Sequence, residues 1–438
     1  MTKKRDSFCI MPFIHLHNMS SGLMKMCCIT EKPIVDDFGK TVFIGNQPIN
    51  EVWNNNFMQT VRKFMLEGKE LSLCKDCYDV EDSGGKSLRN EYNENYKEQF
   101  TQFIDEAKTN DGKIKTFPPF IELRTGNNCN SACRMCNTND SSLVYKENTE
   151  IHKTLKSNGF DSRTVEHGYR MMGDPEKIIF GLQDDRMQTR VMDLDKHFDE
   201  IIENIHHIKL ITLSGGEPFL LEKTAVLLEE LANKNPNVIL YINTNGSILS
   251  DRLISALKRI EEVRICVSLD GHGAIQEYIR YPLKWEKIER NIYQLKSLTK
   301  KGFYLNFNIT VQALNVLNLD PLLTMLVTDF IGHHVNLSFL TNPTHFAVQQ
   351  LPQAVKERAV ELNKELANKI NLVPSLPGYF TENKVRLAER LLELNSFMLA
   401  ETAPNPEMFE RFKANIKIYD YYRKQQLADY APDWIPFL

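Results

Sequence analysis

The feature that most constrains the fold of this 438-residue chain is an alternation running from about residue 117 to 342. Short β-branched runs recur through it: "FIELR" (120–124), "IKLITLS" (208–214), "VILYINT" (238–244), "VRICVSL" (263–269), "FYLNFNITV" (303–311) and "VNLSFL" (335–340). Between the later runs lie "KTAVLLEELANK", "DRLISALKRIEE", "EKIERNIYQLKSLTKK" and "DPLLTMLVTDFI". Their apolar residues return every three or four positions, the spacing of one helix face. Asp251 and Asp320 stand early in two of them, where a carboxylate suits a helix N-terminus. Strands alternating with helices build βαβ units and a parallel sheet. Six units predict an α/β fold, a partial (β/α)6 TIM-like barrel, whose chemistry gathers at the C-terminal strand ends.

The flanks of this rhythm set the expected domains. Residues 1–92 hold five of the nine cysteines and form a small N-terminal module. Residues 93–345 carry the barrel, with a polar insertion over about 138–205 that ends in the helix-like "DLDKHFDEIIENI" and suits a substrate wall or lid. Residues 346–438 read as a helical extension, with "AVKERAVELNKELANKI", "ENKVRLAERLLELNSFML" and "PEMFERFKANIKIYDYYRKQQ".

Each strand end carries unusual chemistry. The first leads into "NNCNSACRMCN", where Cys129, Cys133 and Cys136 stand as C-x3-C-x2-C. Three thiolates fall one short of a closed structural zinc site and leave a position open. The second strand ends in "SGGEP" (214–218), the third in "NTNG" (243–246), the fourth in "SLDG" (268–271) and the fifth in "ITVQALN". A Gly-Gly pair lets backbone approach a ligand closely, and the exposed amide and Glu217 offer polar partners for an ammonium group. Ser268 and Asp270, two apart, are expected on one side of a strand.

These residues in this order resemble the radical S-adenosylmethionine enzymes, over about residues 117–342. The resemblance implies a [4Fe–4S] cluster on Cys129, Cys133 and Cys136, its fourth iron open to the amino and carboxylate groups of S-adenosylmethionine. By position, Gly215, Gly216 and Glu217 would receive the methionyl amine. Ser268 and Asp270 would lie near the carboxylate and ribose, and Arg280 of "EYIRYP" would pair with the carboxylate. Asn245 and Gln312 are further cofactor-pocket candidates. No catalytic side chain is assigned beyond the cluster. The residue before the third cysteine, often aromatic in the family, is here Met135, whose thioether fills the same gap.

The N-terminal segment, with "INEVWNN" and an "R–ML–G" pattern, resembles the SPASM/twitch auxiliary-cluster module of the same superfamily, placed before the barrel instead of after it. The resemblance implies one auxiliary [4Fe–4S] cluster on Cys9, Cys27, Cys74 and Cys77, with Cys28 as the alternative to Cys27. Both cysteine groups also admit a zinc reading, the C-x2-C pair above all. Cys266, within an apolar run, reads as a core thiol. His15 and His17, and the pairs His206–His207 and His333–His334, read as surface or satisfied histidines. Glu122 and Arg124 alternate on the first strand, as an interior structural pair or as substrate contacts.

Composition narrows the function. A net charge of −4 offers no basic field for nucleic acid, and no run of about 18 apolar residues spans a membrane. The N-terminus lacks the apolar stretch of a signal peptide, so the expected compartment is the cytoplasm, where thiols stay reduced. The expected activity is reductive cleavage of S-adenosylmethionine to a 5′-deoxyadenosyl radical that abstracts hydrogen from a substrate, with flavodoxin or ferredoxin as electron donor. The substrate is a peptide or protein side chain, or else a small molecule such as a sugar, aminocyclitol or nucleotide. The reading from another class is a non-catalytic metal-binding scaffold.

Overall fold

The computed structural model describes residues 6–30, 32–157, 194–298, 300–374, 379–400 and 405–438. Most of the insertion expected to act as a wall or lid lies outside them. Eight strands form one sheet: β1 (His15–Asn18), β2 (Met24–Lys25), β3 (Phe120–Arg124), β4 (Leu210–Ser214), β5 (Ile239–Thr244), β6 (Glu262–Ser268), β7 (Phe303–Val311) and β8 (His334–Phe339). Their order is β2-β1-β3-β4-β5-β6-β7-β8. The six strands expected from the sequence are β3 to β8. The N-terminal segment adds β1, parallel to β3, and β2, antiparallel to β1.

The chain divides into two compact units, residues 1–127 with 190–242 and 250–263, and residues 128–189 with 243–249 and 264–438. In the first unit, Ile121, Leu123, Ile211, Leu213, Leu240 and Ile242 alternate along β3 to β5 and are buried. Each such side chain stabilises by about 1.5–3 kcal/mol when removed from water. The intervening residues are polar. His17, Glu122, Thr212 and Tyr241 stand opposite one another across four strands, so one face of this sheet is a polar row.

The N-terminal segment is held by two arginines. Arg62 donates from Nε to the Pro12 carbonyl and from Nη1 to that of Gly112, and lies 4.1 Å over the Trp53 ring. Arg89 binds the Glu81 carboxylate and donates to the carbonyls of Asp6 and Phe8. Beyond β8 the second unit continues in three long helices, Gln353–Leu372, Tyr379–Leu399 and Pro406–Arg423. Within it, Val263's alternation continues: Ile265 and Val267 are fully buried, while Cys266 is half-buried between Arg264 and Ser268. Cys266 therefore lies on the polar face of β6, not in the apolar core expected for it.

Candidate active site

The three-cysteine loop belongs to the second unit. Ser131 gathers two of the thiols, with its Oγ 3.3 Å from Cys129 Sγ and 3.4 Å from Cys133 Sγ. Burial raises the Cys136 thiol, and the neighbouring Cys133, Asp140 and Cys129 raise it further. Three thiols brought together on one loop are stabilised as thiolates by a cationic centre, which fits iron or zinc there. Among the described residues, no three or more Cys, His, Asp or Glu side chains close on one ion. The convergence shows instead in the shared hydroxyl and the mutual charge interactions.

Asn130 is fixed next to the first cysteine. Asn245 donates from Nδ2 to Asn130 Oδ1 at 2.8 Å, Asn130 donates to Ser247 Oγ at 2.9 Å, and Ser247 Oγ donates to Asn245 Oδ1 at 2.6 Å. This closed triangle uses Asn245 to hold the loop.

Asp270 is fully buried and lies beyond the end of β6, so it does not share a strand face with Ser268. Its Oδ2 accepts from Arg280 Nε at 2.7 Å and its Oδ1 from the Thr310 amide at 2.9 Å. Gln276 and Asn315 bind its backbone. Asp270 thus anchors Arg280, whose Nη1 stands 3.9 Å from Cys133 Sγ. Burial opposes the Arg280 charge, but Asp270 above all, with Cys133 beside it, outweighs that effect. Gln312, just past β7, is fully buried, and neither atom of its amide has a hydrogen-bond partner among the described residues. A buried amide left bare is destabilising, so this position suits a polar ligand.

In the first unit, "GGEP" follows β4 at Gly215, Gly216 and Glu217. Gly215 has φ +120°, and a Cβ there would meet the Gly126 carbonyl oxygen at 2.7 Å and the Thr125 nitrogen at 2.8 Å. Only glycine fits. The Gly216 amide donates to the same Gly126 carbonyl at 2.8 Å, so it is not the exposed amide expected. Glu217 is buried, and its Oε1 accepts from the Phe219 amide at 3.2 Å.

The five N-terminal cysteines line one cavity, Cys9, Cys27, Cys28, Cys74 and Cys77 together. Burial first, then Cys27 and Cys77, pushes the Cys74 thiol up to about 12. The chemistry of this set fits a four-thiolate cluster with one cysteine to spare. Two residues that sequence reasoning passed over position Cys9. Asn93 donates to the Phe8 carbonyl and accepts from the Ile10 amide, and Arg89 grips the same stretch. Both sit on the helix Leu88–Tyr96, capped by Ser87 and Asn90 in a reciprocal pair.

His15 and His17 are fully buried, not at the surface, and they flank one carboxylate. Their ring nitrogens stand 3.4 Å and 3.2 Å from the two oxygens of Glu122. Burial would raise the Glu122 carboxyl, but the two imidazoles outweigh it and hold it well below the usual range. Burial lowers His17 despite Glu122.

Residues 123–312 match the model of the Radical SAM superfamily, and that segment is a radical SAM domain. The family implies an enzyme that binds a [4Fe–4S] cluster and S-adenosylmethionine. No curated protein sequence matches the chain. Among solved structures it is similar to anSMEcpe with bound AdoMet and a Cp18Cys peptide, at 15% identity and a TM-score of 0.35, over 58% of this chain and 60% of that one. It is also similar to Streptococcus suis SuiB bound to S-adenosylmethionine, at 13% identity and a TM-score of 0.34, over 71% and 63%. SuiB bound to the precursor peptide SuiA matches at 13% identity and a TM-score of 0.33, over 73% and 62%. The matched regions thus span less than two thirds of those chains. No helix of the described residues is long and apolar enough to cross a membrane.

Proposed function

We propose that the chain is a radical S-adenosylmethionine enzyme acting on a peptide or protein side chain, with a second cluster on Cys9, Cys27, Cys74 and Cys77. When bound, the barrel cluster supplies the electron that cleaves S-adenosylmethionine to a 5′-deoxyadenosyl radical able to take hydrogen from the substrate. Cys129, Cys133 and Cys136 hold that cluster, and Arg280, oriented by Asp270, places a fixed cation beside Cys133. Gly215 lets the turn carrying Gly216 and Glu217 pack on the backbone of Thr125 and Gly126, where it would meet the methionyl amine, and the Gln312 amide binds the ligand's polar edge. Cys9, Cys27, Cys74 and Cys77 hold the auxiliary cluster, and Arg89 and Asn93 fix the backbone around Cys9. The peptide class rests on the resemblance to SPASM/twitch enzymes.

The observation that carries the proposal is the Radical SAM match across residues 123–312, which takes in all three loop cysteines together with Asp270, Arg280 and Gln312. Anaerobic reconstitution followed by iron, zinc and 5′-deoxyadenosine analysis tests it. The expected protein holds about eight irons, as two cubanes, and releases 5′-deoxyadenosine under reduction. Cys77→Ala should bind about four fewer irons. One tightly held zinc with about four irons would overturn the auxiliary cluster and leave the barrel chemistry standing.

A further inference from the structure

Arg134 sits between the second and third loop cysteines, and its guanidinium is fully buried. A cation inside a ligand loop requires a partner, and the end of the helix Pro406–Arg423 provides it. Arg134 Nη2 donates to Asp420 Oδ1 at 2.6 Å and Nε donates to the Tyr278 carbonyl at 3.1 Å, while the Tyr278 hydroxyl donates to the same Asp420 oxygen at 2.7 Å. The guanidinium lies 3.7 Å over the Tyr278 ring.

One turn further along the same helix, Arg423 repeats the pattern. It binds both oxygens of Glu147 at 2.7 and 2.6 Å, and Nη2 also donates to the Ala132 carbonyl at 2.7 Å. The pair is almost entirely buried. The backbone of the loop is tied at the same place, with the Ala132 amide donating to Tyr281 and the Arg134 amide to Ile279. Residues 132 to 134 are therefore gripped from both sides, by the stretch that carries Arg280 and by the closing helix. Lys424, at φ +53°, ends that helix just after the grip.

We propose that the closing helix is a clasp on the cluster loop, with Asp420 and Arg423 as positioning residues and the Arg134–Asp420 pair setting the charge beside the cluster. The inference rests on the reading of Cys129, Cys133 and Cys136 as cluster ligands. A cation near an iron–sulfur cluster favours its reduced, more negative form, and an anion favours the oxidised form. Asp420→Asn keeps the shape and leaves Arg134 unbalanced, so the barrel cluster's reduction potential should rise. Arg134→Met removes the cation and leaves Asp420, so the potential should fall. A helix that merely braced the loop would move both in the same direction or in neither.

The test uses the full chain, reconstituted anaerobically and titrated by electron paramagnetic resonance in the Cys77→Ala background, so that one cluster is read. Opposite shifts in the two variants, with a near wild-type value in the Arg134→Met/Asp420→Leu double variant, establish the clasp. Shifts of equal sign, or none, overturn it. Loss of the signal in Asp420→Asn supports the clasp if the double variant restores it, and counts against it if not. A background protein without iron on the three loop cysteines would sink the cluster assignment itself, an outcome distinct from iron present and potentials unmoved.

Discussion

Arg280 and Asp270 form a buried ion pair, with Nε 2.7 Å from Oδ2 and the carboxylate shielded completely from solvent. Breaking such a pair from one side leaves the other charge buried and uncompensated, a cost of about 3–5 kcal/mol. Arg280→Ala should therefore lower the unfolding free energy by that amount even without cofactor, in chemical denaturation. It should also weaken S-adenosylmethionine binding. An unchanged denaturation midpoint would mean that Asp270 finds other partners.

Gln312 offers the opposite balance. Its bare amide should make Gln312→Leu more stable than the wild type without ligand, by about 1–3 kcal/mol, the desolvation cost of an unsatisfied polar group. The same substitution should weaken S-adenosylmethionine binding by at least about tenfold, near 1.4 kcal/mol. Calorimetry and thermal melts read the two effects separately. A variant that binds normally would remove Gln312 from the pocket.

Gly215→Ala should be among the most damaging single methyl additions. The new Cβ would press on the backbone of Thr125 and Gly126, which cannot rotate away, and φ +120° strains any L side chain. A loss of about 1–3 kcal/mol is expected from strain alone, measured by urea unfolding. Stability within error of wild type would show that the turn relaxes.

Acid should unfold the protein through two histidines. Burial pushes His197 down to about 3, and burial together with Arg411 pushes His345 down to about 4, from an ordinary value of 6.5. The unfolded chain takes up these protons below pH 6.5 while the folded chain does not, so stability is full above 6.5 and falls toward 4. The slope is about 1.4 kcal/mol per pH unit for each histidine. Glu122, held low by His15 and His17, contributes stability present above its ordinary 4.5 and lost in stronger acid. His345→Gln should flatten the fall of melting temperature between pH 6.5 and 4.5. A parallel curve would show that His345 titrates normally.

Much of the sheet was legible. β3 and β7 span the residues expected of them, because strong β-branched runs with clear turn signals leave little freedom. β1 read only as a possible strand, from the alternation of His15 and His17, because "HLHN" has no apolar run; its extended form comes from pairing with β3. The cysteine groups stood out from their spacing, but the residues that fix their loops did not. Arg89, Asn93, Asp420 and Arg423 act over long sequence separations that no local pattern encodes. One signal was available: Arg134, a charge inside a ligand loop, called for a counterion somewhere in the chain.

The pairing of β1 with β3 also orders events in time. His15 stands opposite Phe120, so a strand near the beginning waits for a partner made roughly a hundred residues later, about 5–20 s at ordinary rates of synthesis. Through that interval the edge of β1 that pairs with β3 has no neighbour. A nascent chain in this state exposes unpaired backbone, a template for association with other chains. Slow elongation across residues 18–120 should thus favour aggregation, and β3 emerging from the ribosome is the event that closes the window.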